Sequence, residues 1–297
     1  MQKSLIGDAV LVFVTLCWGI TFPLIENAVK AVNPAVFVTL RFFVAAVILL
    51  PFVCKKKYFQ SSEIKVVLRG GLILGILNTI SFLSQTIGME TVTAAKGAFI
   101  TGICVILVPF LLPFFRLGKP NIVDIMSTLC CFLGLFLLTG AKFSQTTAGE
   151  FWILLCAVFY AVSIVYLQQI TQKLTNFTLL AFLQIFFTAV LTSPFSFSHS
   201  FISIFNPVVL IGLLFCSVFA TSMALFLQTK FQRYTTASRA AMIFCLEPVF
   251  ASIFGYLING EKLGLLALFG AALILLSIIT SEFYRLLAKR VPIERTA

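Results

Sequence analysis

The chain has 297 residues, of which 60% are hydrophobic and only 10% charged, and its mean hydropathy is +1.10. A water-soluble domain carries about 45–50% apolar and about 25% charged residues, so a soluble globule is excluded. The formal charge of +11, from 21 basic and 10 acidic residues, raises nucleic acid as a partner, but the positive loops of a membrane protein produce the same excess.

Ten apolar stretches follow in chain order, at 8–28, 34–53, 66–87, 94–115, 120–140, 149–170, 176–197, 207–229, 235–258 and 263–283. A bilayer crossing takes about 20 apolar residues, so each stretch is long enough, and none alternates like a strand. The connections are too short to hold a soluble domain. The expectation is an all-α integral membrane protein with ten transmembrane helices.

Loop charge orients the chain. With a cytoplasmic N-terminus, the inner segments hold Lys3, Lys55, Lys56, Lys57, Lys65, Arg69, Arg116, Lys119, Lys173, Lys230, Arg233, Arg285, Lys289, Arg290 and Arg295. The outer segments hold only Lys30, Lys96, Lys142 and Lys262. Both termini are therefore expected in the cytoplasm. The basic residues are scattered loop anchors and form no nucleic-acid patch. The apolar run after Lys3 is too long for a signal-peptide core and lacks a clear cleavage site, so the first span is read as retained. The eight cysteines show no metal-like spacing and read as packing residues, and no cofactor is expected.

The chain also repeats itself. An offset of 143 aligns Asn33–Leu40 with Asn176–Leu183, Pro51 with Pro194, Gln85-Thr86 with Gln228-Thr229, Thr93-Ala94 with Thr236-Ala237, and Lys96 with Arg239. An offset of 142 pairs Gly118-Lys119 with Gly260-Glu261. Apolar identities arise by chance in such a chain, so the Asn, Gln, Thr and Pro matches carry the inference. Spans one to five (residues 1–145) thus repeat as spans six to ten (146–297). Five is odd, so the second half enters the membrane from the opposite side. That is an inverted repeat, which in secondary transporters encloses a central substrate site near the midplane. An old duplication kept only for packing is the alternative.

Three passages resemble a known family. They are Trp18-Gly19-Ile20-Thr21-Phe22, then Gln85-Thr86-Ile87-Gly88 with Thr93–Gly102 and Pro109, then Thr236–Ala241 with Leu246-Glu247-Pro248-Val249-Phe250 and Gly260-Glu261. On these the chain is similar to the bacterial EamA-type permeases of the drug/metabolite transporter superfamily, over essentially its whole length. The resemblance implies ten helices in inverted five-helix halves around a central cavity, a place in the bacterial cytoplasmic membrane, and small metabolites as substrates. Its motifs say almost nothing about which metabolite.

A charge inside a membrane costs about 2.5–3.5 kcal/mol on insertion scales, so each one is a functional candidate. Glu247 lies near the centre of span nine, beside Pro248, which frees the Phe244 carbonyl. It binds a substrate amine or carries a coupling proton, or else it balances Arg41 or Lys96. Arg41 either snorkels to the interface or holds a carboxylate or phosphate, and its repeat counterpart is the neutral Gln184. Lys96 and Arg239 stand at the starts of spans four and nine, as two ends of one pathway or as headgroup anchors. Arg239 and Glu247, eight residues apart, are expected to share a cavity face without pairing. Trp18, Phe22, Phe99 and Tyr160 are the aromatics expected at the cavity. Gln85 and Gln228 either meet substrate or bond helix to helix. Pro109 and Pro248 predict kinks about one turn apart in spans four and nine.

Several chemistries have no residues to support them. There is no Gly-Lys-Ser/Thr phosphate loop and no His-Glu-x-x-His motif, and the single histidine, His199, falls in an outer loop. The expected function is secondary active transport of amino acids or related zwitterionic or weakly anionic compounds, by alternating access. The cavity set of Arg41, Lys96, Arg239 and Glu247 is net positive, which argues against large hydrophobic cations. A channel, or a membrane enzyme or non-transporting scaffold, are the alternatives.

Overall fold

The computed structural model describes residues 2–54, 62–139, 147–261 and 264–288, and every regular element among them is helical. The first half comprises α1 (Gln2–Ala28), α2 (Pro34–Val53), α3 (Ile64–Gly88), the stacked pair α4 (Ala94–Gly102) and α5 (Cys104–Leu111), and α6 (Ile122–Thr139). The second half comprises α7 (Ala148–Thr171), α8 (Phe177–Ser196), and a rod built from α9 (Pro207–Phe215), a widened segment Cys216–Met223 and α10 (Ala224–Phe231). It ends with the pair α11 (Ala237–Phe244) and α12 (Leu246–Asn259), then α13 (Leu265–Ala288). Lys55, Lys56, Lys57, Lys142, Lys262, Lys289, Arg290 and Arg295, which weigh in the expected orientation, lie outside the described residues.

Eight rods are long and apolar enough to cross a membrane. The fifth and tenth expected spans correspond to shorter apolar stretches, Ile122–Leu138 within α6 and Leu265–Ser281 within α13. Phe110, Phe114, Leu265 and Phe269 stand 68–83% exposed on the outside of the bundle. Lipid accepts such a surface and water does not.

The polar matches of the repeat are helix ends. Asn33 accepts from the Ala35 amide and Asn176 from the Leu179 amide, each capping the next helix. Thr93 and Thr236 are the N-cap residues of α4 and α11. Gly118 and Gly260 both adopt left-handed backbone, with φ of 88° and 69°, where a side chain would be strained.

The kinks differ from expectation. Spans four and nine break at Ile103 and Cys245, which are equivalent at an offset of 142 and so do not sit a turn apart. At Cys245 the break follows from Pro248, whose missing N–H leaves the Phe244 carbonyl without its helical partner. At Ile103 it is a tightened turn, with the Ile103 amide bonding the Ile100 carbonyl at 3.2 Å, while α5 runs unbroken through Pro109.

Packing brings the halves together. α3 lies on α7 and α8, α2 on α8, α1 on α12 and on the α9–α10 rod, and α6 on α13. Gly134 and Gly270 let α6 and α13 cross almost backbone to backbone. At one end of α1 and α12, Glu26 accepts from the Ala94 amide at 2.8 Å and from Asn259 Nδ2 at 3.3 Å, which ties the start of α4 to both helices. Burial, and then the nearby Glu26 carboxylate, push the Glu261 carboxyl above its ordinary range.

Two outcomes follow from this packing. A Cβ on Gly270 would meet the Leu138 amide nitrogen and the Gly134 carbonyl oxygen, so Gly270→Ala is expected to lower stability by about 1–3 kcal/mol in detergent unfolding. Gly264→Ala, which points into open space, leaves it unchanged. The raised Glu261 binds its proton more tightly in the folded state, so its contribution to stability falls as pH rises from about 4 through its folded value. Glu261→Gln should flatten that loss, with no difference between the proteins below about pH 4.

Candidate functional site

The centre of the bundle holds a chamber lined by Trp18 and Thr21 of α1, Arg41 of α2, Ser81, Phe82 and Gln85 of α3, Thr101 of α4, Cys156 and Tyr160 of α7, and Glu247 of α12. Its volume of about 20 Å³ is room for about one water molecule, so the walls are closed on each other.

Arg41 is 1% exposed, too deep to snorkel. Its Nε donates to Thr221 Oγ1 at 2.6 Å and its Nη2 to the Ala220 carbonyl at 3.5 Å. Both acceptors belong to the widened Cys216–Met223 segment, where the helix hydrogen bonds lengthen to a π turn and a carbonyl is released sideways. The same carbonyl accepts from Trp18 Nε1 at 2.9 Å. The guanidinium also stands 4.9 Å from the Phe82 ring centre and 5.9 Å from that of Phe42. Its remaining nitrogen, Nη1, is buried with no partner among the described residues, and the same holds for Tyr160 Oη and Ser81 Oγ, which also line the chamber.

Glu247 sits in the first turn of α12, where the positive end of the helix favours a carboxylate. Gly19 lets α1 run against it, its bare Cα facing the Glu247 carbonyl. Among the described residues no cation lies within 4 Å of the Glu247 carboxylate, so it does not pair with Arg41. The Arg41 guanidinium and the Glu247 carboxyl therefore both line the chamber without bonding each other. Trp18 frames it edge-on to Tyr160 at 5.8 Å and to Phe244 at 5.2 Å. Gln85 Nε2 reaches across to Thr101 Oγ1 at 3.3 Å.

Of the residues expected at the cavity, Trp18, Arg41, Gln85, Tyr160 and Glu247 meet here, and five do not. Phe22 is buried in the core, and Phe99 stacks on Phe132 at 6.5 Å. Gln228 donates to Gln232 Oε1 at 3.1 Å, and Gln232 in turn donates to the Ile164 carbonyl. Lys96 pairs with Glu150, and Arg239 with Asp8 at 3.0 Å, and neither cation lines the chamber. Thr21, Ser81, Phe82, Thr101 and Cys156 were missed. Four of them had a signal, since Thr21, Ser81, Phe82 and Cys156 each lie three or four residues along the helix from Trp18, Gln85 or Tyr160.

The interactions repeat as the sequence does. Arg41–Thr221 corresponds at an offset of 143 to Gln184–Asn78, which are bonded at 3.4 Å. Trp18 and Tyr160 correspond at 142, as do Asp8 and Glu150, so the two ion pairs are related copies.

Comparison with known proteins gives this arrangement a family. Residues 5–140 and 147–282 each match the profile of the EamA-like transporter family. A protein of Archaeoglobus fulgidus described as an uncharacterized transporter is 34% identical over 277 residues, spanning 93% of this chain and 86% of the relative. The Bacillus subtilis protein described as uncharacterized transporter YoaV is 25% identical over 292 residues, spanning 95% of this chain and 98% of its own. A solved crystal structure shares the fold at 14% identity, with a TM-score of 0.70 over 95% of this chain and 98% of that one. With its matches in both halves, the chain is a multi-pass membrane protein of the EamA-like transporter family.

Proposed function

We propose that the chain crosses the bacterial cytoplasmic membrane ten times, as two inverted five-helix repeats, and carries a small zwitterion such as an amino acid by alternating access. The observation that carries this reading is the chamber. Arg41 Nη1, Tyr160 Oη and Ser81 Oγ are buried donors without partners among the described residues, and Glu247 supplies an unpaired carboxylate to the same chamber. Leaving such groups unmet is costly, and a substrate carboxylate on Arg41 with its ammonium on Glu247 satisfies both. A proton on Glu247 is the coupling ion in this reading.

The repeat supports the mechanism. Exchange of the halves carries α1 packed on α12 into α7 packed on α4 and α5, and maps the pair α2–α8 and the pair α6–α13 onto themselves. In the inverted arrangement the Lys96–Glu150 and Arg239–Asp8 pairs close opposite ends of the chamber. Opening either end breaks its own pair, while the shared centre keeps the substrate between Arg41 and Glu247. In this reading α6 and α13 cross the membrane with the rest.

Purified protein in liposomes tests the reading. Counterflow of a labelled amino acid with saturation supports a carrier, non-saturating flux indicates a channel, and the absence of flux across a metabolite panel rejects both. Arg41→Gln, which copies Gln184 into the first half, is expected to cut uptake by about tenfold or more. Glu247→Gln keeps shape but cannot ionise, so folded yield should persist while uptake falls and its pH dependence flattens. Normal transport across pH by a folded Glu247→Gln protein removes Glu247 from the mechanism. For orientation, in a Cys54→Ser, Cys130→Ser background, an impermeant thiol reagent applied outside cells should label His199→Cys and spare Lys173→Cys.

A further inference from the structure

A second concave site lies away from the chamber, between the first turns of α3 and the last turns of α7. The groove holds about 260 Å³. Arg69 and Lys173 stand at its rim, Tyr166 and Gln169 form one wall, and Val66 and Ile73 the other. Val66, Arg69 and Ile73 fall on one face of α3, at spacings of three and four residues. Arg69 and Lys173 are exposed, and among the described residues neither has a carboxylate within 4 Å. Gln169 Nε2 donates to the Phe115 carbonyl at 2.7 Å, and the Phe115 ring stands 6.4 Å from Tyr166. This holds the turn carrying Arg116, also exposed, beside the groove.

We propose that this groove seats an anionic phospholipid, its phosphate on Arg69 and Lys173 and its acyl chain along Ile73 and the Tyr166 ring. The lining argues for a lipid over a free anion, because Arg69 and Lys173 share the groove with the apolar Val66, Ile73 and Ile170 and the Tyr166 ring. Basic grooves between membrane helices recognise headgroups in this way. The repeat supplies a control within the molecule. In the related groove between α1 and the α9–α10 rod, Gly212 takes the place of Arg69. There Lys30, which corresponds to Lys173 at an offset of 143, is neutralised by Glu26 at 3.6 Å. Among the described residues, only the α3–α7 copy presents two cations with no carboxylate within 4 Å. The site itself requires only a membrane, and its assignment to the cytoplasmic leaflet rests on the orientation proposed above.

Native mass spectrometry of the full chain, released from micelles holding equal phosphatidylglycerol and phosphatidylcholine, reads the site without any transport measurement. The expected result is retention of one phosphatidylglycerol in preference to phosphatidylcholine. Each cation near an anionic surface contributes about fivefold, so Arg69→Gln with Lys173→Gln should weaken retention by about thirtyfold. The same double variant should unfold in pure phosphatidylcholine micelles at the wild-type temperature. Lys30→Gln with Glu26→Gln, at the related groove, should leave phosphatidylglycerol retention unchanged. Equal retention of the two lipids, or undiminished retention by the double variant, overturns the proposal. Displacement of the lipid by millimolar inorganic phosphate also overturns it, in favour of a free-anion site. Failure of transport with lipid selectivity intact refutes only the transport reading.

Discussion

A guanidinium buried in an apolar bundle must be answered by neighbours, and the way Arg41 is answered organises the centre of this protein. Two of its nitrogens are held by Thr221 and the Ala220 carbonyl, and the third is not. A regular helix would have kept that carbonyl for its own ladder. The π turn over Cys216–Met223 releases it, and Trp18 and Arg41 both take it. One irregular turn thus fixes an aromatic wall and a cation at once. The counterpart in the first half, residues 73–80, runs as ordinary α-helix, and there Asn78 meets the neutral Gln184 where Thr221 meets Arg41. The duplication kept the scaffold, and the charged chamber arose where the two copies stopped being alike.

The same divergence runs through the ends of the bundle. Lys96–Glu150 and Arg239–Asp8 preserve one interaction in both halves, joining the start of a broken helix to the start of its neighbour. Breaking the helices at Ile103 and Cys245 separates these ends from the midplane, so a tilt of α4 or α11 need not drag α5 or α12 with it. In the proposed cycle, that division lets an end open while Glu247, just past the break at Cys245, stays in place.

Much of the framework was legible because helix ends and membrane crossings leave local marks. The apolar runs read directly from the chain, and the Asn33/Asn176 and Gly118/Gly260 matches that mark its repeat prove to be helix caps and left-handed turns. The chamber was legible for half of the residues assigned to it. Trp18, Arg41, Gln85, Tyr160 and Glu247 stand out as polar or amphipathic groups deep in apolar runs. The partners of Lys96 and Arg239 were not legible, because position along a helix says nothing about whether Glu150 or Asp8 lies opposite. Phe22 and Phe99 misled because phenylalanine is too common here for any single one to be diagnostic. The π turn and the break at Ile103 have no local signature, since neither has the proline that marks Cys245.

The two ion pairs, though related, differ in their surroundings. The Lys96 side chain is 37% exposed, whereas Arg239 and Asp8 are 9% and 12% exposed. Mobile ions screen the first pair and hardly reach the second. In the proposed cycle the two half-reactions therefore respond unequally to ionic strength. Salt outside the cell loosens one end, while the cytoplasmic end holds its latch. That reading gives the proposed carrier a polarity set by solvent access and not by substrate affinity, although both its halves match one family profile.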